Sequence, residues 1–528
     1  MSTRRSTVFW AGALTVVVGV LLHFPDFLMA ERHGDMVMMA GMGMSAQMMV
    51  GMVLIVVGVC MAGWAVLPSR RPAGARIGLL GDARFRSIDG ARLTRAHWVL
   101  ISILTIGLVI DTMKPATLWF VVPGMSEEYG MSTQQTAMFP FTAIAGTVVG
   151  SLVWGYLADI IGRRATLMFS GVIFIGTSIC GFMPSFTGNL VMCFFMGASA
   201  GGMLPTVYAL TAESVPAKRR GPLIVLQSGL GATFGYLVAS GAAALFIPLF
   251  GWRVLWLLGV PSGFALLVLC RWIPESPRFL LATGRGEEAV AVMEKYGITA
   301  VTDDANSEPS AAAEPVAAEP VARQSPFVTL FAGIYLRRSV SVVCYGLGWG
   351  VVNWGFITFL PTFLRHAGYG DSADSLLFTA SLAAVPATFL AAYLYGRWSS
   401  RGSMILYSVL TVAVLGCFTV VGKADWMILA LVALLLSTSA GMIAMLSPYS
   451  TEQYPTELRA TGSGVAAAAS KAGGMIGPLL LSSAPLLGTA ALLTAAPLAL
   501  ATGVLIFTGI ETSGRPLPEQ HSPETARL

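Results

Sequence analysis

One apolar segment of the chain ends in Gly155-Tyr-Leu-Ala-Asp159-Ile-Ile-Gly162-Arg163-Arg164, and a later one ends in Glu213-Ser-Val-Pro216-Ala-Lys-Arg-Arg220-Gly221. Both polar turns recur in weaker form in the second half of the chain. Glu452-x-x-Pro455-x-x-x-Arg459 repeats the second turn, and Gly396-Arg-Trp-Ser-Ser400 repeats the first without its acid. Membrane helices whose polar turns repeat between two halves are typical of secondary transporters.

The composition predicts an all-α polytopic membrane protein. The chain has 528 residues, of which 55% are hydrophobic and 11% are charged, whereas soluble domains carry about 25% charged residues. A membrane-spanning helix needs about 20 apolar residues. Fourteen segments are candidates, at roughly 8–30, 45–67, 98–122, 136–158, 165–184, 189–212, 222–248, 253–273, 338–363, 375–396, 404–422, 426–448, 463–482 and 486–511.

The net charge of +5 follows membrane topology and does not indicate a nucleic-acid surface. Basic residues crowd alternate loops, as in Arg163 and Arg164, whereas Glu127, Glu128 and Asp371 lie in loops of the other side. By the positive-inside rule, we expect both termini in the cytoplasm of a bacterial cell and the chain in its inner membrane.

Five regions are expected along the chain. Residues 1–97 form an extra helix pair and a basic linker, 98–273 a first six-helix bundle, and 274–335 a partly disordered linker. Residues 336–511 form a second six-helix bundle and 512–528 a tail. The linker contains Ala-Glu-Pro-Val twice, and such sequence does not bury a core.

The chain resembles the major facilitator superfamily over residues 98 to 511. The stretch from Pro274 to Arg278 and the paired Glu-to-Arg turns resemble the sugar-porter and metabolite:proton symporter branches. The turn Tyr454-Pro-Thr-Glu-Leu-Arg459-Ala-Thr-Gly462 is most similar to proton symporters of aromatic and heterocyclic carboxylates. This resemblance implies the 6+6 helix fold and alternating access. Sugar porters carry paired glutamines in the first helix of the second bundle. In this chain that segment, at roughly 338–363, reads Tyr345-Gly-Leu-Gly-Trp349, which argues against a sugar as the substrate.

The polar turns predict a network of charges that closes the cytoplasmic side. Carboxylates beside helix ends accept hydrogen bonds from guanidinium groups and backbone N–H groups. The alternative is anchoring by the positive-inside rule alone. The predicted gate consists of Asp159, Arg163, Arg164, Glu213, Arg219, Arg220, Glu275, Arg278, Glu452 and Arg459.

The predicted working site lies in the first helix of the first six-helix bundle, the segment at roughly 98–122. Asp111 and Lys114 fall halfway across the membrane, where charges are costly unless they are paired or hydrated. Their spacing places them on one helix face, and Pro115 removes a hydrogen bond to the carbonyl of Asp111. The hypothesis is that Asp111 takes up the coupling proton while Lys114 binds an anionic substrate. The alternative is a fixed ion pair that holds a kink.

Other polar and aromatic side chains of the core helices could line the same cavity, where rings suit a flat substrate and amides orient it. For each, packing is the alternative. The candidates are Tyr208, Gln227, Tyr236, Trp349, Asn353 and Trp354.

The front of the chain is rich in methionine. Met44, Met48 and Met52 fall at a spacing of four, with His23 and His33 nearby. Thioethers with histidine suit Cu(I), although Met is also an ordinary apolar residue of membrane helices. Copper uptake is therefore one alternative function.

The sequence favours a proton-coupled symporter of a small organic anion, with an aromatic carboxylate as one candidate. A sugar or neutral-metabolite carrier, a copper carrier and a membrane sensor remain alternatives. We expect no catalysis, no resident metal, no cofactor besides the coupling proton, and a monomer whose partners are its substrate and the lipid bilayer. The six cysteines lie in apolar segments without the spacing of a metal site.

Overall fold

The computed structural model describes residues 3–29, 41–67, 93–282, 284–296, 326–370, 372–420, 425–454, 456–481 and 486–512, with 32–33, 36–37 and 39. This part of the chain is almost entirely helical. Its strands are Arg32–His33 (β1) and Met36–Val37 (β2), which pair antiparallel. Residues 297–325 of the predicted linker and the tail from 513 onward lie outside the described residues.

A front pair of helices precedes the core. It consists of α1 (Thr3–Leu21), the short α2 (Phe24–Met29) and α3 (Ala46–Val66). Glycines let α1 and α3 approach closely, because a Cβ at Gly12 would lie 2.7 Å from the carbonyl oxygen of Gly58.

The first bundle spans α4 to α11 and begins with the long helix of the predicted working site. Gly162, at φ 97°, separates α5 from α6 in a conformation that favours glycine. A Cβ at Gly202 would lie 2.0 Å from Trp154, so glycine is required where α7 gives way to α8. The helices are α4 (Arg95–Glu128), α5 (Thr133–Ile161), α6 (Arg163–Gly176), α7 (Phe186–Ala200), α8 (Met203–Ser214), α9 (Ala217–Phe250), α10 (Val254–Leu257) and α11 (Gly259–Leu269), with a 3₁₀ turn at Thr177–Phe182.

Three short helices follow, α12 (Pro277–Ala282), α13 (Gly286–Lys295) and α14 (Pro326–Leu330). Of these, α13 is amphipathic. Its buried residues are Ala289 and Met293, whose spacing of four places them on one face.

The second bundle spans α15 to α21. Its first membrane segment contains two π-helical stretches, at Val352–Ile357 and Arg365–Tyr369, a feature that is frequent at functional sites. The helices are α15 (Gly333–Val351), α16 (Thr358–Leu364), α17 (Ser372–Arg397), α18 (Ser400–Cys417), α19 (Asp425–Glu452), α20 (Thr456–Leu481) and α21 (Leu487–Thr508).

Among the described residues, eleven helices are long and apolar enough to cross a membrane. Two shorter apolar stretches are Phe186–Ala200 and Val254–Leu269. The all-α membrane architecture is therefore confirmed. The total of fourteen spans stays a prediction, as do the five regional boundaries.

The two bundles contact each other through α9 and α17. Thr233 of α9 hydrogen-bonds Thr388 of α17 at 2.8 Å. We call the end that carries Arg163, Arg164 and Arg219 the basic end, and the opposite end the acidic end. At the basic end, a Cβ at Gly221 would lie 3.4 Å from the Glu452 carboxylate.

Candidate functional site

The acid of the predicted working site is buried near the middle of α4. Only 3% of Asp111 is exposed, and α4 remains helical through Pro115. The cation that interacts electrostatically with Asp111 is Lys471 of α20, in the second bundle. Tyr208 of α8 is also within electrostatic range of Asp111 and hydrogen-bonds Ser228.

Lys471 joins the two bundles. Its Nζ donates a hydrogen bond to Ser151 Oγ and lies 3.5 Å from the carbonyl oxygen of Thr147, both on α5. An ionisable side chain within a membrane segment faces the protein interior or a cavity and marks a functional site by default. Asp111, Lys471 and Ser151 thus form a polar cluster, here called the central cluster, that spans the interface.

Lys114 occupies a separate environment within the first bundle. Its Nζ donates to the carbonyl oxygen of Phe174 and, at 2.5 Å, to Thr177 Oγ1. It also lies 4.1 Å from the centre of the Phe174 ring, a favourable cation–π contact. A spacing of three leaves two side chains about 60° apart around a helix, which suffices to direct Asp111 and Lys114 to different neighbours.

Gln227 is also held by protein groups of the first bundle. Its Oε1 accepts a hydrogen bond from Thr211 at 3.0 Å, and its Nε2 donates to the carbonyl oxygen of Ile101 at 3.3 Å. The side chain is 1% exposed. These contacts tie α9 to α4 and α8.

Three aromatic rings meet across the interface on the acidic-end side of Asp111. The rings of Trp119 and Tyr236 lie 4.9 Å apart, and those of Trp119 and Trp354 lie 6.3 Å apart, edge to face. Trp119 belongs to α4, Tyr236 to α9, and Trp354 to the π-helical stretch of the second bundle. We call these three residues the aromatic cage.

The remaining predicted lining residues lie on the second bundle. Trp349 Nε1 donates to the carbonyl oxygen of Ser439 at 3.0 Å, which connects α15 to α19. Asn353 lies beside Trp354 in the π-helical stretch and is half-buried. Its backbone carbonyl accepts a hydrogen bond from Thr358 at 3.2 Å.

Among the predicted gate residues, Glu275 stabilises the turn between α5 and α6. Its carboxylate accepts hydrogen bonds from the backbone N–H groups of Arg163, at 2.7 Å, and Arg164, at 3.3 Å. Burial raises the pKa of the Glu275 carboxyl, and the N–H donors of Ser276, Arg164 and Arg163 partly oppose that rise.

Glu511 stabilises the corresponding turn of the second bundle, between α17 and α18. This residue is not among those predicted from the sequence. Its carboxylate accepts from the backbone N–H of Ser400 at 2.9 Å and from that of Thr512 at 3.1 Å. Glu275 likewise accepts from its own successor, Ser276, at 3.0 Å. The internal repeat therefore extends to an acid after the last helix of each bundle.

Glu452 lies at the basic end between the bundles. It accepts hydrogen bonds from Tyr395 at 2.8 Å and from Thr512 Oγ1 at 2.6 Å. Arg219 is exposed at the start of α9. The side chains of Asp159, Glu213, Arg220, Arg278 and Arg459 lie outside the described part of the structure, so the predicted gate network stays a prediction.

The methionine-rich front end docks onto the first bundle through its backbone. The N–H of Met39 donates to Glu128 Oε1 at 2.7 Å, and the N–H of Gly41 donates to the carbonyl oxygen of Pro184 at 3.0 Å. Met48 is 2% exposed, whereas Met44 is 41% exposed. Two of the thioethers that could bind Cu(I) therefore occupy different environments.

Comparison with known proteins identifies the family. The family model of the Major Facilitator Superfamily matches residues 99–478. The niacin transporter NiaP of Acinetobacter baylyi is 27% identical over 405 residues, which cover 75% of this chain and 89% of that protein. The 4-hydroxybenzoate transporter PcaK of the same organism is 28% identical over 292 residues, 53% of this chain and 61% of that protein.

Solved structures agree on the fold. A structure of the proton:xylose symporter XylE superposes with a TM-score of 0.61 at 17% identity, covering 80% of this chain and 97% of that chain. The resemblance inferred from the polar turns, to a transporter near the aromatic carboxylate symporters, is thereby confirmed. The chain belongs to the Major Facilitator Superfamily.

Proposed function

We propose that the protein is a proton-coupled symporter that carries a small organic anion across the membrane by alternating access. The observation that carries this proposal is the central cluster. A cation of the second bundle, Lys471, bonds to Ser151 of the first bundle and interacts electrostatically with Asp111. An anion bound there would therefore act on both halves of the molecule at once.

The central cluster suggests how proton and anion are coupled. While Asp111 is ionised, it competes with any anion for Lys471. A proton on Asp111 removes that competition, so Lys471 can bind a carboxylate. Once bound, the anion changes the contact between Lys471 and Ser151, which is one of the links between the bundles. Proton and anion would then cross together.

We assign the anion to Lys471 in preference to Lys114. The amine of Lys114 donates to Phe174 and Thr177 inside one bundle, and its side chain is 2% exposed. Lys471 also has partners, but it is only half-buried and lies where the two bundles meet. The sequence-based assignment of Lys114 stays a prediction, and the binding measurement proposed in the Discussion separates the two lysines.

The nature of the anion is suggested by the relatives, which are named for transport of niacin and of 4-hydroxybenzoate. Both compounds are flat aromatic acids. A lysine within a membrane helix, such as Lys471, suits such an acid better than it suits a neutral sugar, because an unpaired charge in the membrane interior is costly. The distribution of basic loops favours an inner-membrane protein with both termini in the cytoplasm.

Flux measurements in proteoliposomes that enclose a pH-sensitive dye test the proposal. A panel of aromatic and aliphatic carboxylates, sugars and Cu(I) is added outside the vesicles, with wild type and Asp111→Asn compared. One or more carboxylates should acidify the wild-type lumen. Asp111→Asn should abolish acidification but retain exchange of labelled carboxylate, because exchange needs no net proton movement.

Glu294→Gln serves as the control, since it removes an acid from the exposed face of α13 and should leave acidification intact. Acidification by Asp111→Asn at the wild-type rate would remove Asp111 from the coupling mechanism. If sugars or Cu(I) move while carboxylates do not, the anion proposal is wrong.

A further inference from the structure

Two buried polar groups of the aromatic cage have no hydrogen-bond partner among the described residues. They are the indole N–H of Trp119 and the phenol O–H of Tyr236, on side chains that are 7% and 6% exposed. Buried polar groups nearly always find a partner, so two neighbouring exceptions require an explanation.

Most other buried indoles of the chain follow that rule. Trp349 donates to Ser439, and Trp154 donates to the carbonyl oxygen of Ala198 at 2.7 Å. The indole of Trp256 also lacks a partner, but it lies inside the first bundle, close to Gly181. Trp119 and Tyr236, by contrast, lie where the two bundles meet, with Trp119 packed against Trp354 of the second bundle.

The cage is adjacent to the central cluster. Trp354 packs against α20 at Gly474, where a Cβ would lie 2.8 Å from the indole ring. Gly474 is three residues beyond Lys471, so the two positions are neighbours on one face of the helix. On α4, Trp119 lies about two turns from Asp111. One small molecule could therefore contact both the cage and Lys471.

We propose that Trp119, Tyr236 and Trp354 bind the planar ring of the substrate and select rings that carry a hydrogen-bond acceptor. The substrate carboxylate binds Lys471, so the inference rests on the proposed function. A ring nitrogen or ring hydroxyl oxygen then accepts from Trp119 Nε1 and Tyr236 Oη. The edge-to-face arrangement of Trp119 and Trp354 is the geometry in which aromatic rings attract one another.

A different role for the same rings is a plug that only closes the pathway between the bundles. A plug depends on the bulk of the rings and not on the indole N–H or the phenol O–H. Replacement by phenylalanine separates the two roles, because it keeps an aromatic ring at each position and removes the donor.

Equilibrium binding to purified protein in lipid nanodiscs tests the inference. The probes are pyridine-3-carboxylate, 4-hydroxybenzoate, benzoate and cyclohexanecarboxylate. In wild type, benzoate should bind more tightly than cyclohexanecarboxylate, and the two acceptor-bearing acids should bind about tenfold more tightly than benzoate. Trp119→Phe and Tyr236→Phe should each reduce or remove the tenfold ratio of affinities between the acceptor-bearing acids and benzoate, because each variant keeps an aromatic ring and loses the donor.

Matched controls come from residues of the same types outside the cage. Trp426→Phe and Tyr393→Phe remove the same donors from side chains that are 73% and 63% exposed. They should leave all four affinities at wild-type values. Retained benzoate binding shows that a cage variant is folded.

The outcomes distinguish this inference from the proposed function. If both cage variants bind all four acids as wild type does, the inference is overturned and the symporter proposal stands. Equal affinity for benzoate and cyclohexanecarboxylate would show that the cage does not select a planar aromatic ring. If no carboxylate binds wild type, the anion proposal is wrong, and so is the inference that rests on it.

Discussion

The carboxylate of Glu128 lies 2.5 Å from the guanidinium of Arg253, and both side chains are buried. Glu128 is the last residue of α4 and Arg253 immediately precedes α10, so the pair connects the end of one helix of the first bundle to the start of another. Trp252 Nε1 donates to the same carboxylate at 3.1 Å, and Arg253 also donates to the carbonyl oxygen of Gly181 at 2.8 Å.

Glu128→Gln should be strongly destabilising. Removing one partner of a buried ion pair leaves the other charge uncompensated, which typically costs about 3–5 kcal/mol. Glu288→Gln is the control, because it breaks an exposed pair with Arg285 that is worth less than about 1 kcal/mol. Thermal unfolding in detergent should show a large fall in Tm for the first variant alone. Equal Tm values would mean that the buried pair contributes little to stability.

Lys114 and Lys471 should differ in binding. Lys471→Met should weaken carboxylate binding about 10- to 100-fold, since hydrogen bonds to charged groups contribute about 1.5–3 kcal/mol. Lys114→Met should leave the affinity unchanged, because that amine is held inside the first bundle. Titration of each purified variant with radiolabelled benzoate measures both. If Lys114→Met weakens binding and Lys471→Met does not, the anion binds Lys114, as the sequence alone predicts.

Gly162→Ala should destabilise the turn between α5 and α6. The φ of 97° is one that alanine rarely adopts, and the new Cβ would lie 2.4 Å from the Glu275 carboxylate. Such strain typically costs about 1–3 kcal/mol. Gly416→Ala is the matched control, because nothing lies within 4 Å of its Cβ and alanine favours a helix. A Tm for Gly162→Ala at or above that of Gly416→Ala would contradict the expectation.

Glu275 should make stability depend on pH. Burial raises the pKa of its carboxyl in the folded state, so the folded protein binds more protons than the unfolded chain between the two pKa values. The stabilisation is fully present below the unfolded pKa of about 4.3 and is lost as pH rises through the folded pKa. Between pH 4.5 and 7.5, wild type should therefore lose more stability than Glu275→Gln. Parallel curves of Tm against pH for the two proteins would exclude this role.

The helical architecture could be predicted from the sequence because long apolar segments allow few alternatives in a membrane. Breaks inside those segments could not be predicted. The change from α7 to α8 at Gly201 and Gly202 depends on the approach of Trp154, a contact between distant parts of the chain. The π-helical stretch around Trp354 likewise has no local signal that distinguishes it from an ordinary helix.

The candidate site was predicted in part. The sequence indicates Asp111 because a charge in an apolar helix is conspicuous, and Lys471 carries the same signal within α20. The sequence favours Lys114 as the substrate-binding lysine because it is close to Asp111 in the chain, whereas the cation that interacts electrostatically with Asp111 comes from the other bundle. Glu511 could have been found by extending the repeat, since Glu511-Thr512 follows the last helix as Glu275-Ser276 follows α11.

The docking of the front pair makes the two halves of the molecule unequal. Met39 bonds the Glu128 carboxylate, and Gly176 at the end of α6 packs against Ile55 of α3. Any rotation of the first bundle must therefore carry the front pair with it. In the alternating access proposed above, the second bundle is the smaller body and displaces less lipid, so it should rotate further relative to the bilayer than the first bundle with its front pair.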